Sequence, residues 1–129
     1  MIGITGLGVH VPRYRLAAET LAAVWGAGVG GGQRAVANHD EDSLTMAVEA
    51  SLAALGERGG QDLGGVLLAT TTPPYAEKSS AAILAAVVDA GRDVLAADLG
   101  GSLRAGTTGL RLALDAVRAG SAREVLVAA

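Results

Sequence analysis

Residues 97–108 read Ala97-Asp98-Leu99-Gly100-Gly101-Ser102-Leu103-Arg104-Ala105-Gly106-Thr107-Thr108. An apolar run over residues 94–97 leads into this stretch, and an amphipathic run over residues 103–119 leads out of it. The pattern predicts a strand, a tight glycine turn and a helix. Such a turn lies at the carboxyl end of a sheet, beside helix N–H groups that favour anions and activated nucleophiles. The stretch therefore predicts where a site lies but not its chemistry, because the chain contains no cysteine.

Strand and helix patterns alternate along the rest of the chain. Helices are predicted over residues 16–25, 44–55, 79–90 and 103–119, and strands over residues 2–11, 65–69, 94–97 and 124–128. A glycine-rich connector covers residues 26–32, and residues 34–39 are expected to be irregular. Alternation at this spacing predicts an α/β fold with a parallel sheet, crossover helices on both of its faces, and one domain over residues 1–129.

Composition excludes several classes of function. The 129 residues carry a net charge of −3, with scattered basic residues, one Trp, two Tyr and no Phe, which argues against nucleic-acid binding. No apolar run is long enough to cross a membrane, and the N-terminus lacks a signal-peptide pattern, so we expect a cytoplasmic protein. Without cysteine there are no disulfides or thiolate metal sites, and His10 and His39 are expected to be structural.

Polar residues follow two predicted core strands. Thr70, Thr71 and Thr72 come after the strand over residues 65–69, where hydroxyl groups are well placed to face a ligand. The alternative is that these threonines satisfy the backbone of a loop that ends at Pro73. Ser102 has two interpretations as well, either a nucleophile that needs a nearby base or the N-cap of the helix that follows.

Three further patterns have both a structural and a functional interpretation. Gly6-Leu7-Gly8 resembles part of a dinucleotide-binding motif, but the third glycine and the helix are missing. Arg13 and Arg15 are able to hold a phosphate, or are solvated charges beside a turn. Asp40-Glu41-Asp42-Ser43 is expected to start a helix rather than bind a metal.

Taken in order, several stretches resemble the N-terminal part of the thiolase-like condensing enzymes, and in particular the hydroxymethylglutaryl-CoA synthase group. Each stretch is weak alone, but together they run through nearly the whole chain. The matching stretches are Gly3-Ile4-Thr5-Gly6, Val11-Pro12-Arg13-Tyr14-Arg15, Val24-Trp25-Gly26, Asp40-Glu41-Asp42, Ala47-Val48-Glu49-Ala50, Pro74-Tyr75-Ala76 with Lys78, and Arg104-Ala105-Gly106-Thr107 with Gly109.

The resemblance implies Claisen-type condensation of acyl-CoA thioesters, with coenzyme A entering as part of the substrate and no separate cofactor or metal. The family's acyl-accepting cysteine falls on Leu103, and its glutamate acid/base falls on Thr71, so both catalytic side chains are absent at these positions. Ser102 is the nearby candidate for the nucleophile. Glu77 is either a nearby candidate for the acid or a solvated glutamate before the helix at Ser79. Thr70, Thr72 and Arg104 are expected to contact the substrate. A non-catalytic subunit that binds acyl-CoA or acts as a scaffold is the alternative function.

Two features predict that other protein surfaces cover this chain. Residues 81–88 are apolar without interruption, and a helix that is apolar all round must be covered all round. Leu103, Leu110, Leu114 and Val117 are expected to line one face of the last helix. The resemblance implies a second thiolase-like half or subunit over these helices, and a homodimer in which the strand over residues 94–98 pairs with its symmetry mate.

Overall fold

The computed structural model describes residues 2–26 and 31–129. They form two compact units, one made of residues 11–42 and the other of residues 2–10 together with residues 43–129. Most of the predicted glycine-rich connector, residues 27–30, lies outside the described residues.

The smaller unit consists of β1 (Tyr14–Ala17), α1 (Ala18–Trp25) and β2 (Gln33–Val36), with β1 and β2 antiparallel. The Ala18 N–H donates to the Gly32 carbonyl over 2.9 Å where the strand passes into the helix. The prediction of an irregular segment over residues 34–39 is wrong for β2. Every residue of β2 is exposed, so the strand lacks the apolar alternation by which a half-buried strand is predicted.

The larger unit contains a parallel sheet with the strand order β4-β3-β5. Gly65 of the central strand pairs with Leu95 on one side and with Val125 on the other. The α/β class, the parallel sheet and its crossover helices are therefore confirmed. In chain order the elements are α2 (Ser43–Leu55), a 3₁₀ turn (Gly56–Arg58), β3 (Gly65–Ala69), α3 (Ser80–Val87), β4 (Leu95–Leu99), α4 (Ala105–Ala119) and β5 (Val125–Ala128).

Helices cover both faces of this sheet, as predicted. Every residue of β3 is buried, and successive side chains of a strand point to opposite faces. Val66 and Leu68 belong to a core that also contains Leu84 of α3 and Leu44 of α2. Leu67 lies on the other face, which α4 covers. The central strand therefore separates an α2–α3 layer from an α4 layer.

Helix α4 packs on the sheet through small residues rather than through its leucines. Ala105, Gly109 and Ala113 are its buried positions. A Cβ atom at Gly109 would lie only 3.0 Å from Leu99 Cδ1 and 3.2 Å from Val127 Cγ1, so the absence of a side chain allows close approach. Leu103, expected on one face of this helix with Leu110, Leu114 and Val117, instead lies in the turn before it, and Leu110 is exposed.

The segment over residues 2–10 lies against α2 and is not part of the sheet. The predicted strand over residues 2–11 is wrong, since no residue of 2–10 is assigned to a strand. A Cβ atom at Gly6 would meet the Ala54 carbonyl oxygen at 2.6 Å, and one at Gly8 would meet the Ala54 nitrogen at 2.5 Å. Glycine therefore lets this segment touch the helix backbone directly, an arrangement that the β-like sequence pattern does not reveal.

The strand β4 is an edge strand, although the sequence placed it among core strands. Leu95 is 64% exposed, and β4 pairs only with β3 among the described residues. The neighbouring helix α3 buries one side, whereas Val87 on another side is about half exposed. Its apolar sequence thus leaves an uncovered apolar face. No helix among residues 2–26 and 31–129 is long and apolar enough to cross a membrane.

Candidate functional site

The loops that follow β3 and β4 begin side by side at the carboxyl edge of the sheet. The Thr70 N–H donates to the Leu99 carbonyl over 3.0 Å, which extends the pairing of the two strands by one bond. The start of α2 joins the same edge, because the Ser43 hydroxyl donates to the Thr72 carbonyl over 2.7 Å. Three chain segments therefore converge where the sequence predicts a site.

Thr70 and Thr72 interact with each other within the first loop. The Thr72 N–H donates to Thr70 Oγ1 over 3.1 Å, and the two hydroxyl oxygens lie 3.5 Å apart. The Thr70 hydroxyl thus supports the loop backbone, which is the structural alternative for this residue. Thr71 and Thr72 are exposed at the edge of the sheet. Neither the hydrogen bonds of Thr70 nor the exposure of Thr71 and Thr72 provides an acid/base group at these positions.

The turn between β4 and α4 differs from the prediction in where the helix begins. Arg104 is the N-cap residue, and its side chain makes no capping bond. Ser102 Oγ accepts a hydrogen bond from the Arg104 N–H over 3.1 Å, and the Ser102 carbonyl accepts one from Ala105 over 3.1 Å. The prediction that Ser102 is the N-cap is therefore wrong. Gly101, with φ of 72°, makes the turn that places Ser102 before the helix instead of at its cap.

Leu103 is the most exposed large apolar side chain of this edge. It is 95% exposed, between the hydrogen-bonded Ser102 and the N-cap Arg104. In the loop after β3, Tyr75 is about half exposed, with Lys78 Nζ 5.4 Å from the centre of its ring. The edge therefore presents apolar and cationic surface together, which suits a ligand that has both acyl and phosphate groups.

Acidic groups near this edge are engaged in structure or exposed to solvent. Asp98 Oδ1 accepts a hydrogen bond from the Ala81 N–H over 2.9 Å, and Ser79 Oγ accepts from Ala82 over 3.2 Å, so both side chains hold the first turn of α3. Glu77 is exposed in the loop before them. In the part of the chain that the structure describes, no group of three or more His, Asp or Glu side chains is able to hold a metal ion.

A further charged contact lies at the amino end of β5, away from this edge. Arg58 donates to Glu124 over 2.8 Å, and the Thr5 hydroxyl donates to Glu124 over 2.9 Å. Partial burial raises the pKa of Glu124, but the hydrogen bonds from Arg58 and Thr5 outweigh it, so that the pKa lies below its ordinary value. This carboxylate is therefore ionised and structural at neutral pH.

Sequence reasoning missed two contacts of the candidate site. Ser43 was assigned to a helix start, and its partner Thr72 is 29 residues away, so no local pattern predicts the bond. The position of Lys78 over the Tyr75 ring could be suspected from their spacing but not established. The other predicted positions, Arg13 and Arg15, belong to the smaller unit, where Arg15 Nη1 donates to the Tyr14 carbonyl over 2.9 Å.

Comparisons with known proteins give consistent results for sequence and fold. No protein-family model matches the chain. The hydroxymethylglutaryl-CoA synthases of Methanosphaera stadtmanae and Archaeoglobus fulgidus are 38% and 36% identical to it, over alignments that cover 93% of the chain. The chain spans 37–38% of the length of these curated relatives.

Solved structures with the same fold are condensing enzymes. The 3-oxoacyl-[acyl-carrier-protein] synthase III of Aquifex aeolicus matches 95% of the chain with a TM-score of 0.84 and 27% identity, and the match covers 42% of that enzyme. OleA of Xanthomonas campestris matches 96% of the chain with a TM-score of 0.86, and at 19% identity this shows the fold alone. Sequence and fold together confirm the resemblance to the thiolase-like condensing enzymes, and the chain matches the N-terminal part of hydroxymethylglutaryl-CoA synthases.

Proposed function

We propose that this chain is the acyl-CoA-binding part of a hydroxymethylglutaryl-CoA synthase-like acyltransferase. The relatives named for this activity align with almost the whole chain, and the exposed edge around Leu103 and Thr71 coincides with the positions that the resemblance assigns to catalysis. The exposed apolar side chain of Leu103 is the observation that carries the proposal. The exposed side chain leaves apolar surface at this edge for an acyl group or another protein surface to cover.

The proposed chain binds and orients the thioester but does not take up the acyl group itself. Claisen condensation through a covalent intermediate needs a nucleophile that holds the acyl group and a base that activates it. Leucine cannot be acylated, and the threonine hydroxyl of Thr71 has no acid/base capacity near neutral pH. The covalent step would then use residues of a second thiolase-like half or subunit. Coenzyme A enters as part of the substrate, and no separate cofactor is required.

Ser102 does not substitute for the missing nucleophile in this proposal. Its Oγ accepts the Arg104 N–H, which lies in the backbone of the same turn. A serine needs a neighbouring base to become nucleophilic, and within residues 2–26 and 31–129 no hydrogen bond joins Ser102 to a histidine or a carboxylate. Thr70, Thr72 and Arg104 are the proposed substrate contacts, because they stand on the two loops that meet at the edge.

The alternative is a non-catalytic subunit that acts as a scaffold and binds no acyl-CoA. The loss of both catalytic positions favours it. A homodimer through β4 is compatible with either function, because this strand leaves an unpaired edge on which Leu95 is exposed. Binding of the thioester therefore distinguishes the two functions, whereas oligomeric state does not.

Two measurements on the whole chain test the binding site. Acetyl-CoA labelled in the acetyl group should leave no covalent adduct after incubation, while amide chemical shifts change at Thr70–Thr72 and at Ser102–Arg104. A label that stays on Ser102 would contradict the assigned chemistry. Shifts confined to residues 56–60, at the opposite end of the sheet, would contradict the assigned position. A complete absence of binding would favour the scaffold.

The variant Leu103→Cys tests whether the turn still activates a nucleophile. A thiol near a helix N-terminus has a lowered pKa, so its alkylation should be faster than that of an ordinary exposed thiol. Leu95→Cys is the matched control, because Leu95 is also an exposed leucine but lies on an edge strand. Equal alkylation rates for the two variants would show that the turn does not activate a nucleophile at position 103.

A further inference from the structure

The loop between β3 and α3, residues 70–79, has both of its ends attached to the same short part of β4. At its start, the Thr70 N–H donates to the Leu99 carbonyl over 3.0 Å. At its end, in the first turn of α3, the Ala81 N–H donates to Asp98 Oδ1 over 2.9 Å. Asp98 and Leu99 are consecutive residues, whose Cα atoms are about 3.8 Å apart. The β3–α3 loop is therefore closed at its base in the manner of an Ω-loop.

The two attachments act on different halves of the β3–α3 loop. The first half is also held from within, because the Thr72 N–H donates to Thr70 Oγ1 over 3.1 Å. The Ser43 hydroxyl holds the same half by donating to the Thr72 carbonyl over 2.7 Å. The second half carries Tyr75 and Lys78, which are exposed, and it continues directly into α3. The position of this second half therefore follows that of the first turn of α3.

The strand β4 does not itself account for an aspartate at position 98. Aspartate is among the residues that are depleted in strands. Side chains two positions apart on a strand face the same side, and Ala96 packs against the core that contains Leu84 of α3. The Asp98 carboxylate lies on this side as well, although Ser79 already caps α3 by accepting the Ala82 N–H over 3.2 Å. The carboxylate thus links β4 to a helix start that has its own local cap.

Asp98 also lies immediately before the turn that carries Leu103. It is the last residue but one of β4, and Gly101, with φ of 72°, bends the chain just beyond the strand. Within the turn, the Arg104 N–H donates to Ser102 Oγ over 3.1 Å. The turn and the β3–α3 loop therefore share one base at the end of β4, and the bond of Asp98 connects the second half of the loop to that base.

We propose that Asp98 is a positioning residue of the candidate site, whose carboxylate holds the second half of the β3–α3 loop in place relative to the turn that carries Leu103. This role rests on the proposed function, in which the loop and the turn together bind a coenzyme A thioester. A loop that is already closed does not have to be ordered when the ligand binds, so the affinity is higher. Without the bond of Asp98, only the fraction of chains whose loop stays closed is able to bind.

Amide hydrogen exchange of the unchanged chain tests the coupling between loop closure and binding. If only chains with a closed loop bind acetyl-CoA, then at about ten times Kd the exchange of the Ala81 N–H should slow about tenfold. The Ala82 N–H is the matched comparison, because the local cap Ser79 holds it and its exchange rate should not change. In a chain that binds acetyl-CoA, equal slowing at Ala81 and Ala82, or no slowing at Ala81, would overturn the proposal.

Two substitutions at the same helix start separate the position of the loop from the stability of the helix. Asp98→Ala and Ser79→Ala each remove one acceptor from the first turn of α3, but only Asp98→Ala removes the link to β4. Asp98→Ala should weaken acetyl-CoA binding about fivefold. It should also lower the backbone order parameters of Tyr75 and Lys78 from about 0.85 to below about 0.6, whereas Ser79→Ala should leave affinity and order unchanged. Equal losses of affinity in the two variants would overturn the proposal.

Asp98→Asn is the rescue variant, because its amide oxygen still accepts the Ala81 N–H and should restore most of the affinity and order. If Asp98→Asn behaves like Asp98→Ala, the hydrogen bond is not the link and the proposal is wrong. Slow exchange at β3 establishes that each variant is folded, and the exchange of the unchanged chain decides if one is not.

The order parameters, measured without ligand, distinguish a failure of this proposal from a failure of the proposed function. If the unchanged chain does not bind acetyl-CoA, the proposed function fails. A loss of order at Tyr75 and Lys78 that is confined to Asp98→Ala would then still support the role of Asp98 in holding the loop. Unchanged order in Asp98→Ala would overturn that role, whether or not acetyl-CoA binds.

Discussion

Truncation to alanine should strongly destabilise the chain at Leu84 and leave its stability almost unchanged at Leu103. Leu84 is 0% exposed in α3 and packs in the core with Val66 and Leu68, whereas Leu103 is 95% exposed in the turn before α4. Removal of a buried leucine side chain costs about 3–5 kcal/mol, because the transfer free energy is lost and a cavity remains. Removal of an exposed one costs less than about 0.5 kcal/mol.

These free energies correspond to readily measured shifts in melting temperature. For a cooperative unit of about 100 residues the entropy of unfolding is about 0.2 kcal/mol/K, so that 3 kcal/mol lowers Tm by about 15 °C. Leu84→Ala should therefore melt about 15 °C below the unchanged chain, and Leu103→Ala should melt within about 2 °C of it. Urea unfolding at 25 °C provides the free energies independently of temperature.

Far-UV circular dichroism is the appropriate signal for this comparison. The single tryptophan, Trp25, belongs to the smaller unit, so its fluorescence does not report on the unit that contains both leucines. A loss of more than about 1 kcal/mol in Leu103→Ala would refute the reasoning, because a loss of that size would mean that the Leu103 side chain is buried in the isolated chain. A loss of less than about 1 kcal/mol in Leu84→Ala would refute the position of the core.

Three further substitutions test contacts that the sequence did not predict. Glu124→Gln should lower the free energy of unfolding in urea by up to about 1 kcal/mol at pH 7, because the contact with Arg58 is partly exposed. The pKa of Glu124 is lower in the folded chain than its unfolded value of 4.5, so this stability is present above pH 4.5 and is lost as the pH falls through the folded pKa. A difference in stability between the two proteins that persists at pH 2 would contradict the assignment. Asp98→Ala should lower the stability of the larger unit by about 1 kcal/mol, and Asp98→Asn should restore most of it, since an amide oxygen still accepts the Ala81 N–H; equal losses in both variants would show that charge is what matters. Gly109→Leu should cost about 1–3 kcal/mol in thermal unfolding because the new side chain would meet Leu99 and Val127, and an unchanged Tm would mean that α4 does not pack closely on the sheet.

The sequence predicts those elements whose local pattern and tertiary surroundings agree. β3 lies at residues 65–69, as predicted, because a fully buried strand is a short apolar run bounded by Gly64 and by the threonines. Helix α2 begins at Ser43 after the acidic cluster and ends before Gly56, whose φ of 57° stops it. In both elements, the residues inside the element favour its structure, and the residues that flank it in the sequence end it.

Predictions failed where distant contacts decide the structure. The segment over residues 2–10 has the sequence of a strand, but it packs against Ala54 of α2, about fifty residues further along the chain. That contact depends on a glycine at position 6. Helix α4 was predicted to begin at Leu103, but it begins at Ala105, and the close approach of helix and sheet selects Gly109 and its small neighbours for the buried side. For the candidate site, the convergence of two loops follows from parallel strands, whereas the bond from Ser43 to Thr72 does not.

The order of the strands also has a kinetic consequence. Gly65 pairs with Leu95, thirty residues further along, and with Val125, sixty residues further along. Closing a longer loop costs more entropy, so β3 and β4 with α3 between them are the first part of the sheet able to assemble as the chain is synthesised. β5 is added only after α4 has been made. Of the three described strands of this sheet, β5 thus joins last, and until then the apolar side of α2 that contacts it lacks this strand as protection from aggregation.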